Sequence, residues 1–116
     1  MGKLKSLVAS EQSVVNACLD YLTWRGHFVW RNNSGFFTRD YTTKAGIHRR
    51  SATRVGKVGS SDIIGIAKDG KMIAVECKRE GNVPTEQQES FLAEIKKRGG
   101  YAIVATSVDD LQITGI

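Results

Sequence analysis

Residues 62–78, DIIGIAKDGKMIAVECK, decide the fold. Two short apolar runs rich in Ile and Val flank Lys68-Asp69-Gly70, which predicts two strands joined by a tight turn, a hairpin at the centre of a small domain. Three residues do not belong in a plain core hairpin. Asp62 opens the first strand, and Glu76 and Lys78 stand two apart in the second, where alternate side chains share a face. The turn decides whether these groups meet. A two-residue loop at Asp69-Gly70 would set Asp62 opposite Cys77 and away from Glu76, because a one-residue slip turns every side chain over. A three-residue loop, with Gly70 in the left-handed position of a bulge, pairs Ala67 with Lys71 and sets Asp62 opposite Glu76. The second register is favoured here. It gathers Asp62, Glu76 and Lys78 on one surface, where two carboxylates repel unless a proton or a hard divalent cation lies between them.

The chain has 116 residues, 41% of them hydrophobic and 25% charged, which fits one soluble globular domain over residues 1–116. No apolar run is long enough for a membrane span. The opening MGKLKSLVAS is too short and weakly apolar for a secretory signal, so a cytoplasmic setting, bacterial or phage-infected, is expected. Cys18 and Cys77 lie in predicted core elements without a CxxC spacing or a nearby His, so they read as small buried hydrophobes. The net charge of +5 is local. Residues 39–57, RDYTTKAGIHRRSATRVGK, hold six of the 17 basic residues and one of the 12 acidic ones, and the remaining 11 of each sign cancel. Such a polar, basic stretch reads as a loop or loose hairpin, and its natural partner is a polyanion, most simply nucleic acid.

Outward from the hairpin, Ser10 caps a helix over residues 11–25, with Val14, Val15, Cys18, Leu19 and Leu22 as its apolar stripe and Gly26 as its stop. HFVWR reads as a strand, NNSG as a turn, and FFTRDYTT as a returning strand before the basic segment. A second helix is expected over 86–98, then the buried strand YAIVA and a last helical turn at SVDDLQ capped by Ser107. The coarse order is a helix, three strands, a helix and a strand, an α/β arrangement with a mixed central sheet flanked by helices.

An acid on one strand and Glu-x-Lys on its neighbour suit metal-assisted phosphodiester hydrolysis. Asp62 and Glu76 supply oxygen ligands, the backbone carbonyl of Cys77 can join them, and Lys78 can orient water and offset charge on the phosphate. Glu11 stands at a helix start, where the dipole favours a carboxylate whatever its role. Thr85-x-x-Gln88 matches a capping box. The alternative is that both helix starts face the hairpin, Glu11 as an outer metal ligand and Gln88 as a contact to water or phosphate. In WRNNSG, Arg31, Asn32 and Ser34 either bind phosphate oxygens or merely end a strand. Arg49, Arg50, Arg54 and Lys57 are the candidate DNA-binding cations of the basic segment.

SEQSVVNACLDYLTWRG, WRNNSG, GKVGSSDIIGI, AVECKREG and TEQQESFLAEIKKRGG occur in that order from about Ser10 to Ser107. With these segments the chain resembles the virus-type replication-repair nuclease (VRR-NUC) domain of the PD-(D/E)XK nuclease superfamily. The resemblance implies a restriction-endonuclease-like αβββαβ core and an endodeoxyribonuclease dependent on Mg²⁺ or Mn²⁺. It makes Asp62 and Glu76 metal ligands, Lys78 the catalytic lysine, Glu11 the acid of the first helix and Gln88 the glutamine of the second. The family's usual Pro before the aspartate is Ser61 here. Stand-alone members of the family, often from phages, look like homodimers acting on branched DNA, which implies a four-way junction or flap as substrate.

Overall fold

The structure, a computed structural model, describes residues 8–116. Most of the opening segment considered above for a signal lies outside the described residues. Helix α1 (Glu11–Trp24) begins at Ser10, whose Oγ accepts the Ser13 N–H at 3.1 Å, and it buries Val14, Val15, Cys18 and Leu22. Strand β1 (Phe28–Arg31) follows, then β2 (Gly35–Thr42), β3 (His48–Val55), β4 (Ile63–Ile66) and β5 (Met72–Cys77). Helix α2 (Glu86–Lys97), strand β6 (Tyr101–Ala105) and helix α3 (Val108–Thr114) complete the chain.

The central sheet runs β1-β4-β5-β6, with antiparallel pairs β1/β4 and β4/β5 and a parallel pair β5/β6. It is therefore mixed, and α2 forms the crossover that a parallel pair requires. Ile63, Ile73, Val75, Cys77 and Ala105 point to one face and pack with the α1 stripe and with Leu111 of α3. Cys18 and Cys77 are free thiols sealed inside this core, as expected for small buried hydrophobes. On the other face, α2 lies along β5 and β6 and buries Leu92. Among the described residues, no helix is long and apolar enough to cross a membrane.

The hairpin register is the expected one. Ile63 pairs with Val75 and Ile66 with Met72; Ala67 N–H donates to Lys71 O at 2.7 Å and Gly70 N–H to Ala67 O at 2.8 Å. Gly70 has φ +89°, the left-handed position of the three-residue loop. One step beyond Ile63 and Val75, Asp62 faces Glu76.

Two expectations need correction. FFTRDYTT forms a strand but does not enter the main sheet, and of the two readings of residues 39–57 the hairpin is the one found. Strands β2 and β3 pair only with each other over eight rungs, from Gly35–Val55 to Thr42–His48. Alternation of aromatic, β-branched and charged residues favours strands, but neither side offers an apolar face to bury, so the pair stands apart. Ser107 occupies the N-cap of α3, yet its side chain makes no capping bond. Asp110 instead holds the segment leading into the helix: its Oδ2 accepts Thr106 N–H at 2.7 Å and Thr106 Oγ–H at 3.0 Å.

Gly59 ties the segment before Asp62 to the first turn of α2. It has φ +77°, and a Cβ there would lie 2.4 Å from the backbone oxygen of Gln87; at Gly70 a Cβ would meet open space. Gly59→Ala and Gly70→Ala share the cost of a left-handed non-glycine residue, about 1–2 kcal/mol. Urea denaturation is expected to show Gly59→Ala less stable than Gly70→Ala by roughly a further 1–3 kcal/mol, from the forced backbone shift.

Candidate active site

Asp62 is held from both sides. Its backbone oxygen accepts Asn32 N–H at 2.7 Å, and its Oδ2 accepts Cys77 N–H at 2.9 Å across the strand pair. One carboxylate oxygen thus anchors the residue, and the carboxyl group also interacts with that of Glu76. Glu76, 1% exposed, projects from β5 on the same side. Its Oε1 lies 3.6 Å from Lys78 Nζ, and its Oε2 is buried without a hydrogen-bond partner. Lys78 is itself buried and is fixed by its N–H to Ala105 O at 2.9 Å, so β6 sets the lysine's position. Glu11, the first residue of α1, brings a third carboxylate. One oxygen from each of Glu11, Asp62 and Glu76 lies within 4.8 Å of the other two.

Burial, and after it the charge of Asp62, push the Glu76 carboxyl up to about 8, while Lys78 pulls it down. Near neutral pH the site therefore carries a proton that a cation would displace. The donor set is all oxygen, and a buried carboxylate oxygen without a partner is costly unless something binds it. These residues fit a divalent metal ion. The Cys77 side chain lies in the core, so only its backbone borders the cluster.

The remaining expected residues divide by position. Arg31 ends β1 opposite Ile63, and its Nη2 donates to Gln12 Oε1 at 2.7 Å. Asn32 uses its side-chain amide within the chain: it donates to Ser60 Oγ at 2.8 Å and Ser61 O at 3.0 Å, so both side-chain N–H groups hold the segment before Asp62. Ser34 sits at the root of the β2–β3 hairpin, in a cleft of about 270 Å³ shared with Arg54, Val58 and Gln87. Gln88 forms the capping box, its Oε1 accepting Thr85 N–H at 2.8 Å and its N–H donating to Thr85 Oγ at 3.2 Å. Only the Nε2 hydrogens remain for another partner. Arg49, Arg50 and Arg54 lie on β3, Arg50 paired with Asp40 at 2.8 Å, whereas Lys57 lies beyond the hairpin beside α2. Sequence reasoning missed Gln12 and Ser60, whose parts depend on partners 19 and 28 residues away.

The sequence model of the VRR-NUC domain family matches residues 10–109, most of the chain. No curated protein and no solved structure matches it.

The raised carboxyl has a measurable consequence. In the unfolded chain Glu76 loses its proton near 4.5, and in the folded chain near 8. Between these values the folded state binds more protons, so this group makes stability fall as pH rises through the window. In EDTA, the Tm of Glu76→Gln is expected to exceed that of the wild type by an amount that grows from pH 5 to pH 8. Added Mg²⁺ is expected to raise the wild-type Tm at pH 8 and leave that of Glu76→Gln unchanged. Parallel Tm profiles for the two proteins would contradict this electrostatic account.

Proposed function

The chain belongs to the VRR-NUC domain family, a family of nucleases, and on that premise we propose that it is a Mg²⁺- or Mn²⁺-dependent DNA endonuclease with a PD-(D/E)XK site. The observation that carries the reading is the meeting of Glu11, Asp62 and Glu76 beside a buried lysine, with one Glu76 oxygen unpartnered. Asp62 and Glu76 hold the divalent ion, with the Cys77 carbonyl and Glu11 completing its surroundings. When bound, the ion supplies charge neutralisation at the scissile phosphate and acidifies water.

The chain's own residues do the rest. The Lys78 ammonium, 3.6 Å from Glu76 Oε1 and largely shielded from solvent, orients the attacking water and offsets charge that develops on the phosphate oxygens. Water oxygen bonds to phosphorus as the bond to the 3′ oxygen breaks, leaving a 5′-phosphate and a 3′-hydroxyl. Gln88 offers its Nε2 hydrogens to water or phosphate while its carbonyl remains in the helix cap. Arg31 and Ser34 approach the DNA backbone, and Asn32 acts as a positioning residue for Asp62. Arg49, Arg50, Arg54 and Lys57 supply cationic contacts.

The substrate in this reading is branched DNA, a four-way junction or a flap, and the enzyme is a homodimer. One compact domain covers little DNA, and two sites related by a two-fold axis suit paired nicks in a symmetric junction.

With an end-labelled four-way junction and its component duplexes in Mn²⁺, Asp62→Asn and Glu76→Gln are each expected to lower the cleavage rate by at least roughly a hundredfold. Binding should remain within a few-fold. Faster cutting of the junction than of its arms supports branch selectivity, and equal cutting refutes it while leaving the chemistry intact. Undiminished cleavage by Glu76→Gln would refute the catalytic assignment.

A further inference from the structure

The β2–β3 hairpin is the largest feature that the catalytic site does not use. A two-stranded ribbon is marginally stable by itself, and the described side chains of this one are exposed apart from the half-buried Ser51 and Val55. Residues directly opposite across an antiparallel pair share a face, so the register sorts the side chains into two sets. One face carries Thr38, Asp40, Thr42, His48, Arg50 and Arg54, and four of these pair among themselves: Arg50 Nε lies 2.8 Å from Asp40 Oδ1 and Thr42 Oγ lies 3.1 Å from His48 Nδ1.

The opposite face carries Phe37, Arg39, Tyr41 and Arg49, with no acidic residue on it. Phe37 is 62% and Tyr41 42% exposed, and the Arg39 guanidinium lies 5.8 Å from the centre of the Tyr41 ring. Two exposed rings separated by a guanidinium, with a second guanidinium across the ladder, combine the two elements of single-strand recognition: surfaces for bases to stack on and cations for the phosphates. Paired bases hide their faces inside the duplex, so the rings have a use only where nucleotides are unstacked.

We propose that this face binds unpaired nucleotides, bases stacking on Phe37 and Tyr41 while Arg39 and Arg49 hold the intervening phosphates. The inference rests on the DNA-nuclease reading above and names the part of the substrate that the hairpin reads. Charge argues for nucleic acid over a second copy of this chain, because the basic excess lies in residues 39–57 and the remainder is neutral.

Fluorescence anisotropy in EDTA with the full chain tests it on three labelled DNAs: oligo-dT, a fully paired duplex, and the same duplex carrying an unpaired internal loop. Phe37→Ala/Tyr41→Ala is expected to bind oligo-dT and the looped duplex at least about tenfold more weakly, and the plain duplex within twofold. Phe37→Tyr/Tyr41→Phe, which keeps both rings, retains wild-type affinity. Arg39→Gln/Arg49→Gln lowers the salt slope on oligo-dT by about 1.4. Thr42→Val/His48→Gln, altered only on the opposite face, controls for the hairpin's integrity and leaves ring-dependent binding in place.

Equal loss on all three DNAs, or no loss, overturns the proposal even if the wild type still cuts junctions, so the nuclease reading can outlive it. Conversion of a dimer to a monomer by Phe37→Ala/Tyr41→Ala in sedimentation, with DNA affinity unchanged, assigns the face to a second copy and also overturns it. Failure of the wild type to bind any DNA removes both readings.

Discussion

Two carboxylates facing each other across one antiparallel strand pair are the constraint on which the rest of the structure depends. The three-residue loop at Lys68-Asp69-Gly70 puts Asp62 opposite Glu76, and the bond from Cys77 N–H to Asp62 Oδ2 locks the arrangement. A one-residue slip would turn one acid to the opposite face of the sheet. Neighbouring elements then act as supports. Asn32 holds the strand that carries Asp62, β6 fixes Lys78 through Ala105, and α1 delivers Glu11 from the opposite layer.

This arrangement works against local stability. A carboxyl pushed up to about 8, with one oxygen lacking a partner, sits in a sheet whose neighbouring positions are Ile, Val and Ala. A core selected for stability alone would place an apolar residue at position 76. Such conflicts between a local rule and the global fold collect at functional sites. A divalent ion would resolve this one by replacing the proton and satisfying the oxygen together.

Much of this was legible because short-range chemistry controls it. The strand alternation, Gly70 and the capping residues Ser10 and Thr85 act within a few positions of themselves, so the central hairpin, its register and the limits of α1 and α2 could be read directly. Glu11 was harder, because its approach to Asp62 depends on how α1 crosses the sheet. Gln88 kept the capping part that its spacing suggested. The bonds of Asn32 were not legible, because its partners, Ser60 and Ser61, lie far along the chain. The second sheet was read only as one of two choices, because its composition suits a solvated loop as well as an exposed ribbon, and only pairing separates the two. That pairing puts Arg49 on one face and Arg50 with Arg54 on the other, a division invisible in a count of basic residues.

The central claim is that Glu11, Asp62 and Glu76 form one divalent-cation site. Calorimetric titration of Mn²⁺ into the wild type, Asp62→Asn and Glu76→Gln tests it most directly, with circular dichroism confirming that each variant is folded. The account predicts saturable binding by the wild type and its loss in both variants. Mn²⁺ binding unchanged by either substitution, or absent from the folded wild type, would contradict it.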